Sequence, residues 1–186
     1  MAKKALDFGT ALKYPFNRPK GLTTIFWIFL PIIGWFALGG YSIRIVKEFL
    51  KGKFKQLPLF NFTSDLKFGF FMFIKAIPFM IAYAVVIGLL SLVDPSLRAI
   101  GELIIGIFVI PLLVINFFNK ETVSSFFEFK ILKSMFNNFG DYIITLLKSL
   151  LLGLIFFAMW LILVGIPAGA FTKHIFLADF YRRNVK

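Results

Sequence analysis

The pattern of hydrophobic residues divides the chain into six apolar stretches separated by short polar connections. These stretches are residues 22–33, 35–50, 68–93, 99–118, 142–164 and 166–181. Three of them, 68–93, 99–118 and 142–164, reach or exceed the roughly 20 residues that a helix needs to cross a hydrocarbon core of about 30 Å. The pattern predicts an all-α protein with a single integral membrane domain over residues 1–186.

Composition supports a membrane protein rather than a soluble one. Hydrophobic residues make up 59% of the chain, 27 of the 186 residues are Phe, and the mean hydropathy is +0.86. A soluble domain of this length does not have enough interior to bury so much apolar surface. We therefore expect much of this surface to face lipid.

Turn-forming residues interrupt the long apolar regions. Pro31 and Gly34 divide residues 22–50, and Gly165 and Pro167 divide residues 142–181. Proline removes a helix hydrogen bond and glycine allows a tight turn, so each pair predicts a point where the chain folds back. Together with a turn at Asp94, they predict a bundle of five to six apolar helices in three hairpins. The first hairpin is expected to be re-entrant, because an arm of 12 residues rises only about 18 Å.

The distribution of charge favours three hairpins over the alternative in which residues 22–40 cross the membrane once. The chain carries 21 Lys and Arg residues against nine Asp and Glu residues, a net charge of +12. With three hairpins, 17 of the 21 basic residues fall on one side and only Arg98 on the other. Lys and Arg accumulate on the cytoplasmic side of membrane proteins. We therefore predict a multi-pass cell-membrane protein with both termini in the cytoplasm.

The same composition limits the classes of partner and chemistry. Basic residues in the connections between apolar stretches are suited to anionic lipid headgroups, so we expect lipid and possible membrane-protein partners and no nucleic acid. The chain has no Cys and one His, which excludes disulfides, thiol catalysis and a His-based zinc site. No catalytic motif is present, so we expect a non-catalytic protein without metal or cofactor. The first 21 residues do not resemble a secretory signal.

Two connections have the spacing of amphipathic helices. Residues 43–51 place Arg44, Lys47, Glu48 and Lys51 on one face, which indicates a helix that continues out of the membrane. Residues 122–139 carry apolar side chains at helical spacing and predict a second helix in the headgroup plane. Both are expected to be interfacial elements rather than separate domains.

Ionisable residues within apolar stretches are the first candidates for a functional site. Lys75, Lys148, Lys173 and His174 lie at similar distances from the predicted cytoplasmic helix ends, and Asp179 is the nearest counter-charge. These residues could line a cavity for an anion or a lipid headgroup. The alternative is that the lysines snorkel, with their stems along apolar surface and their ammonium groups at the headgroups.

Two further polar positions have simpler interpretations. Arg98 and Glu102 are spaced for an ion pair on one helix face, and Asn116 is expected to make a contact between helices.

Several motifs, in order and spacing, are similar to an uncharacterised family of archaeal and bacterial membrane proteins known as domain of unknown function 4013. These motifs are Asp7-Phe8-Gly9-Thr10-Ala11-Leu12-Lys13-Tyr14-Pro15-Phe16, Pro31-Ile32-Ile33-Gly34-Trp35, Gly40-Tyr41-Ser42-Ile43-Arg44, Leu57-Pro58, Asn138-Phe139-Gly140-Asp141-Tyr142 and Leu177-Ala178-Asp179-Phe180-Tyr181-Arg182. The chain departs from the family at residues 17–20, which are basic here. The resemblance implies a helical protein with several spans and supplies no catalytic residue.

Two functional hypotheses follow from the sequence. The first is a membrane protein that acts by binding lipid or a partner membrane protein. The second is a small transporter, or the membrane subunit of one, with a cationic site between broken helices. A lipid-modifying enzyme is the weakest alternative, because His174 and Asp179 are five residues apart and are poorly placed to act together on a helix.

Overall fold

The computed structural model describes residues 4–185, which form helices and connecting turns with no β-strand. The helices are α1 (Phe8–Lys13), α2 (Pro19–Leu22), α3 (Ile33–Leu50), α4 (Phe62–Val93), α5 (Pro95–Ile104), α6 (Ile110–Lys120), α7 (Leu132–Asn137), α8 (Phe139–Ala158), α9 (Gly165–Thr172) and α10 (Ile175–Asn184). Short 3-10 turns cover Tyr14–Asn17, Thr23–Phe29, Val123–Phe127, Phe129–Ile131 and Met159–Ile162. The predicted all-α class is confirmed.

Three of the helical segments in residues 4–185 are long and apolar enough to cross a membrane. They are Phe62–Val93, Pro95–Lys120 and Phe139–Ile162. Only 6% of the most apolar window of the first segment is buried, and at its end Leu92 is 85% exposed. Such surfaces are stable against hydrocarbon and costly in water. The other apolar stretches form shorter segments, so the long helices are fewer than the five to six apolar helices predicted.

A proline explains the irregularity in the second long segment. Pro111 has no backbone N–H, so it cannot donate the helix hydrogen bond that the carbonyl of Ile107 would accept. The chain forms a π-helical turn at Ile105–Val109, and the Tyr142 hydroxyl donates to the Ile107 carbonyl over 2.6 Å. A side chain from α8 thus replaces the missing backbone donor and fixes α8 against this segment.

Two tight reversals divide the apolar regions at the ends. At the first, Ile32 has a φ of 64° and the N–H of Ile33 donates to the carbonyl of Pro31 over 2.7 Å. At the second, Leu163 has a φ of 58° and the N–H of Val164 donates to the carbonyl of Ile162 over 2.7 Å. Positive φ is uncommon for residues with large side chains, so both reversals are strained turns.

The first reversal lies part-way along α4 rather than at its far end. Ile32 and Trp35 line a cleft together with Met72 and Ala76. Those two α4 residues are ten and fourteen positions from the start of the helix, about 15–21 Å along its axis. The segment formed by Thr23–Phe29 and α3 therefore extends along only the first half of α4.

The best-packed part of the molecule is the end where the helix termini meet. Here the carboxyl ends of α3, α6 and α10 lie against the amino ends of α4 and α8, and we call this end the charged base. Helix α10 is at its centre, with seven consecutive buried residues from Ile175 to Tyr181. They pack on α3, α6 and α8.

The two predicted interfacial helices have different outcomes. Residues 43–51 are amphipathic, as predicted: they continue α3 with Ile45 and Phe49 buried, while Arg44 and Lys47 are half-buried and pair with Asp65 and Glu121. The prediction of one helix over 122–139 is wrong, because this connection consists of two 3-10 turns and α7. The helix is broken at Glu128. The Glu128 carboxylate and the Ser125 carbonyl both accept hydrogen bonds from Asn116 on α6, and these bonds hold the connection in a non-helical path.

Candidate functional site

Ion pairs between different elements, and within α10, hold the charged base together. They join Arg44 to Asp65, Lys47 to Glu121, Lys120 to Glu128, Arg182 to Asp179 and Arg183 to both Asp141 and Asp179. Among residues 4–185, the ion pair found at the opposite end is Arg98 with Glu102, at 2.9 Å and four positions apart as predicted. The two ends of the molecule therefore differ sharply in charge.

Asp179 is, together with Asp65, one of the two buried carboxylates of this network. Its side chain is 3% exposed, accepts a hydrogen bond from the backbone N–H of Leu6 at 3.0 Å, and pairs with Arg182 at 2.5 Å. Arg183 lies 2.9 Å from Asp179 and 2.8 Å from Asp141 at the start of α8. The carboxylate thus joins the N-terminal segment to α10, and through Arg183 to α8.

Glu121 forms a second junction. It ends α6 in a left-handed conformation with a φ of 57°, and its side chain pairs with Lys47 of α3. The ammonium group of Lys75 on α4 donates to the Glu121 carbonyl over 2.9 Å. A cation at the carboxyl end of a helix satisfies a free carbonyl and the negative end of the helix dipole. Lys75 therefore stabilises the end of α6.

Asn116 forms a third junction and makes the contact between helices that its sequence position predicts. It is fully buried, its amide donates to the Ser125 carbonyl and to Glu128, and its oxygen accepts a bond from the Tyr181 hydroxyl. Hydrogen bonds from Lys120 and Asn116 hold the pKa of Glu128 below its usual range. Glu128 is therefore ionised at neutral pH and pairs with Lys120 beside the cleft described below.

The remaining predicted polar residues occupy separate surroundings. The ammonium group of Lys148 lies 5.9 Å from the centre of the Phe176 ring, while Lys173 is exposed. His174 is half-buried between α9 and α10, with its ring 6.1 Å from that of Phe118. Lys75 and Lys148 thus contact different elements, the end of α6 and the start of α10.

The four predicted helix-breaking residues lie at or beside the two reversals. Pro31 is within the first turn, and Gly34 is the second residue of α3. Gly165 begins α9, and Pro167 follows in its first turn, where both are buried. Backbone polar groups freed by these breaks are partly used by neighbours, since the Gly34 N–H donates to the Leu30 carbonyl over 2.9 Å.

Two clefts, one apolar and one polar, lie beside the end of α6. An apolar cleft of about 450 Å³ lies between the first reversal, α4 and the end of α6, where Trp35, Met72 and Phe117 line it. A polar cleft of about 590 Å³ opens at the charged base, between the end of α6, the 3-10 turn Phe129–Ile131, α7 and the end of α10. We call the second one the basic cleft. The residues with polar side chains that line it include Asn119, Lys120, Glu128, Lys130, Lys133 and Ser134.

The base carries more lysines than its carboxylates neutralise. Exposed lysines without an ion pair among residues 4–185 include Lys13, Lys20, Lys55, Lys67, Lys130 and Lys133. In the same range, no three His, Asp or Glu side chains come together as a metal site would require. The arrangement can attract anions electrostatically, and it offers ammonium, amide and hydroxyl donors to bind them.

Comparison with known proteins gives one result. The model of a protein family of unknown function, DUF4013, matches residues 23–165. The chain belongs to this family. Neither the comparison with curated proteins nor that with solved structures gives a match. The match to DUF4013 covers the three long helices.

Sequence reasoning missed the basic cleft and the importance of Tyr181. Lys130 and Lys133 are expected on an interfacial helix, but only the broken path of residues 122–139 places them opposite the end of α6. Tyr181 is buried and bonds to Asn116, which lies 65 positions earlier in the chain. The available signal was Asn116 itself, because a buried amide in an apolar segment requires a polar partner.

Proposed function

We propose that this DUF4013 protein is a non-catalytic, multi-pass membrane protein that binds anionic lipid headgroups through its charged base. The single observation that carries the proposal is the asymmetry of the two ends. Exposed lysines in excess of carboxylates surround one end, while exposed Leu, Ile, Val and Phe side chains cover the long helices beyond it. Anionic lipids attract basic residues near the membrane surface by about 1 kcal/mol per Lys or Arg.

The topology that we propose is three hairpins with both termini on the cytoplasmic side. Support comes from the packing of the two ends of the chain. The Arg182 guanidinium donates to the Lys4 carbonyl over 2.9 Å, and the Leu6 N–H reaches Asp179 near the end of α10. An even number of full crossings is required to bring both ends to one face, and a re-entrant segment does not change that number.

Single-cysteine labelling tests this topology. The sequence contains no Cys, so only the introduced cysteine can be labelled. Suitable exposed positions are Thr10, Ser96 and Asn137. We expect Ser96→Cys to be labelled from outside the cell, and Thr10→Cys and Asn137→Cys only after the membrane is opened. Outside labelling of Thr10→Cys would contradict the three hairpins and make the first apolar region a full span.

Lipid preference tests the function. We expect the purified protein to unfold at a higher temperature in nanodiscs containing phosphatidylglycerol than in nanodiscs of phosphatidylcholine alone, because a ligand that binds the native state stabilises it. The difference should disappear in 1 M salt, where the Debye length is about 3 Å. Equal unfolding temperatures in the two lipids at low salt would reject the proposal.

A membrane-protein partner and a transport role are the alternatives. The apolar cleft beside the 57% exposed Trp35 favours a partner within the bilayer, and the strained reversals at Ile32 and Leu163 resemble the broken helices of transporters. Lipid binding is favoured over transport because Lys75 and Lys148 contact different elements and do not together line either of the two clefts. A polar thiol reagent that reaches both Lys75→Cys and Lys148→Cys would reverse this order.

A further inference from the structure

The basic cleft has the charge and donors of a phosphate site. Glu128, its one carboxylate, lies 2.5 Å from the Lys120 ammonium and also accepts a bond from Asn116. Its negative charge is therefore already compensated. Lys130 and Lys133 add two positive charges that no carboxylate of residues 4–185 neutralises.

The backbone that carries Lys130 and Lys133 is fixed by buried neighbouring residues. Ile131 and Met135 are 6% and 1% exposed and pack into the core, while Lys130 and Lys133 are exposed on the other side. The path of the preceding turn is fixed by the bond from buried Asn116 to the Ser125 carbonyl at 2.7 Å. The two ammonium groups therefore extend from a fixed support, which lowers the entropy cost of binding an anion.

Exposed aromatic residues give the same segment the composition of an element at a membrane surface. Phe129, next to Lys130, is 53% exposed, and Phe136, one turn beyond Lys133, is 68% exposed. Phe127 and Phe139 are also exposed, at 42% and 47%. Aromatic side chains among lysines are typical of elements that insert shallowly at the headgroup boundary. A lipid phosphate would lie within reach of the cleft at this depth.

A second polar cleft at the base is less suited to an anion. There the Arg18 guanidinium already donates to the Leu57 carbonyl over 2.5 Å, and Lys53 is paired with Glu48 at 3.0 Å. Among the basic residues of this second cleft, Lys55 is the one for which the described part of the chain shows neither an ion pair nor a side-chain hydrogen bond. The basic cleft offers two such lysines and the flanking aromatic residues as well.

We infer that the basic cleft binds a phosphate group, that of an anionic phospholipid headgroup, with Lys130 and Lys133 as its charged contacts and Asn119 and Ser134 as neutral donors. This inference rests on the proposed function and names the site through which that function acts. A soluble phosphate would present the same chemistry to the cleft, so the experiment separates the two sources.

The test is lipid binding to the full-length protein in detergent, followed by native mass spectrometry. Phosphatidylglycerol, phosphatidylcholine and inorganic phosphate are the three probes. We expect the double variant Lys130→Gln/Lys133→Gln to bind phosphatidylglycerol roughly 30-fold more weakly, from about 1 kcal/mol per lysine. The matched control Lys13→Gln/Lys67→Gln removes the same charge from exposed lysines outside the clefts described, and it should weaken binding by less than about threefold.

The outcomes separate failure of the site from failure of the function. Wild-type protein without preference for phosphatidylglycerol over phosphatidylcholine would reject the proposed function. A preference that is the same in wild type and in the Lys130→Gln/Lys133→Gln variant, or is lost equally in the control, would overturn the site alone. Inorganic phosphate that binds as tightly as phosphatidylglycerol, and depends on the same two lysines, would keep the site and assign it to a soluble ligand.

Discussion

The charged base and the outer halves of the long helices contain similar apolar residues but bury them in different ways. At the base, α10 is enclosed by three other helices, and Phe180 is fully buried. Beyond the base, Leu161 is 95% exposed at the end of the third long segment. Protein side chains fill the space around the first, whereas the second is an uncovered apolar surface that would suit lipid. Close packing of protein side chains is therefore concentrated at one end of the molecule, the charged base.

Polar groups show the same contrast. The base joins helices through buried or half-buried ion pairs, such as Arg44 with Asp65 and Arg183 with Asp141, whereas Arg98 and Glu102 pair on the exposed surface of one helix. Removing one partner of a buried pair leaves an uncompensated charge, but an exposed pair contributes little. Four predictions test this difference, from the largest expected effect to the smallest.

Loss of Asp179 should be the most damaging change. Asp179→Ala leaves Arg183 and the backbone N–H of Leu6 without this acceptor inside the base. We expect a loss of about 3–5 kcal/mol in the free energy of unfolding, as measured for broken buried ion pairs. Unfolding in mixed micelles of mild detergent and dodecyl sulfate provides the measurement. A loss below about 1 kcal/mol would mean that the junction is not a stabilising element.

Truncation of apolar side chains should have opposite outcomes in the two regions. Phe180→Ala in the base should cost about 3–5 kcal/mol, because it removes a buried ring and leaves a cavity. Leu161→Ala should change stability by less than about 0.5 kcal/mol in the same assay, because its side chain faces lipid or detergent. Similar losses for both variants would contradict the contrast between a protein-packed base and an outer region that protein does not cover.

A pair of neighbouring glycines tests the packing of α3 on α4. A Cβ added at Gly40 would collide with the backbone of Asp65 and Gly69, whereas one added at Gly39 would meet no atom within 4 Å. We expect Gly40→Ala to lose about 1–3 kcal/mol by overpacking. Gly39→Ala should gain up to about 1 kcal/mol, because alanine favours a helix more than glycine does. Equal effects of the two changes would show that the helices do not cross closely at Gly40.

The exposed ion pair should have the smallest effect. Glu102→Gln removes the partner of Arg98 on a helix surface where the two side chains are 41% and 53% exposed. We expect a change within about 0.5 kcal/mol in the unfolding assay. This variant is also the control for Asp179→Ala, since each removes one carboxylate. A loss as large as that of Asp179→Ala would mean that charge alone, rather than burial, governs stability.

Some features could be read from the sequence because they depend on local composition. The run of apolar residues from Phe62 to Val93 predicts its own helix, since no soluble environment suits it. The pairing of Arg98 with Glu102 follows from their spacing on one helix. The amphipathic end of α3 follows in the same way from its alternating faces.

The path of residues 122–139 could not be read in this way. Their apolar spacing is helical, but the buried amide of Asn116 on α6 donates hydrogen bonds to the Ser125 carbonyl and the Glu128 carboxylate. These bonds break the helix. A long-range polar bond in the interior outweighs a local preference for helix, because an unsatisfied buried amide costs more than a few residues of propensity.

By itself, the sequence determined the helical class, the apolar segments and the excess of basic residues, because each depends on residue types within a short window. Only the tertiary structure decided which helix ends meet, which lysines are left without carboxylates, and that Lys130 and Lys133 share a cleft with the end of α6. Those outcomes depend on contacts between residues far apart in the chain. No local pattern encodes them.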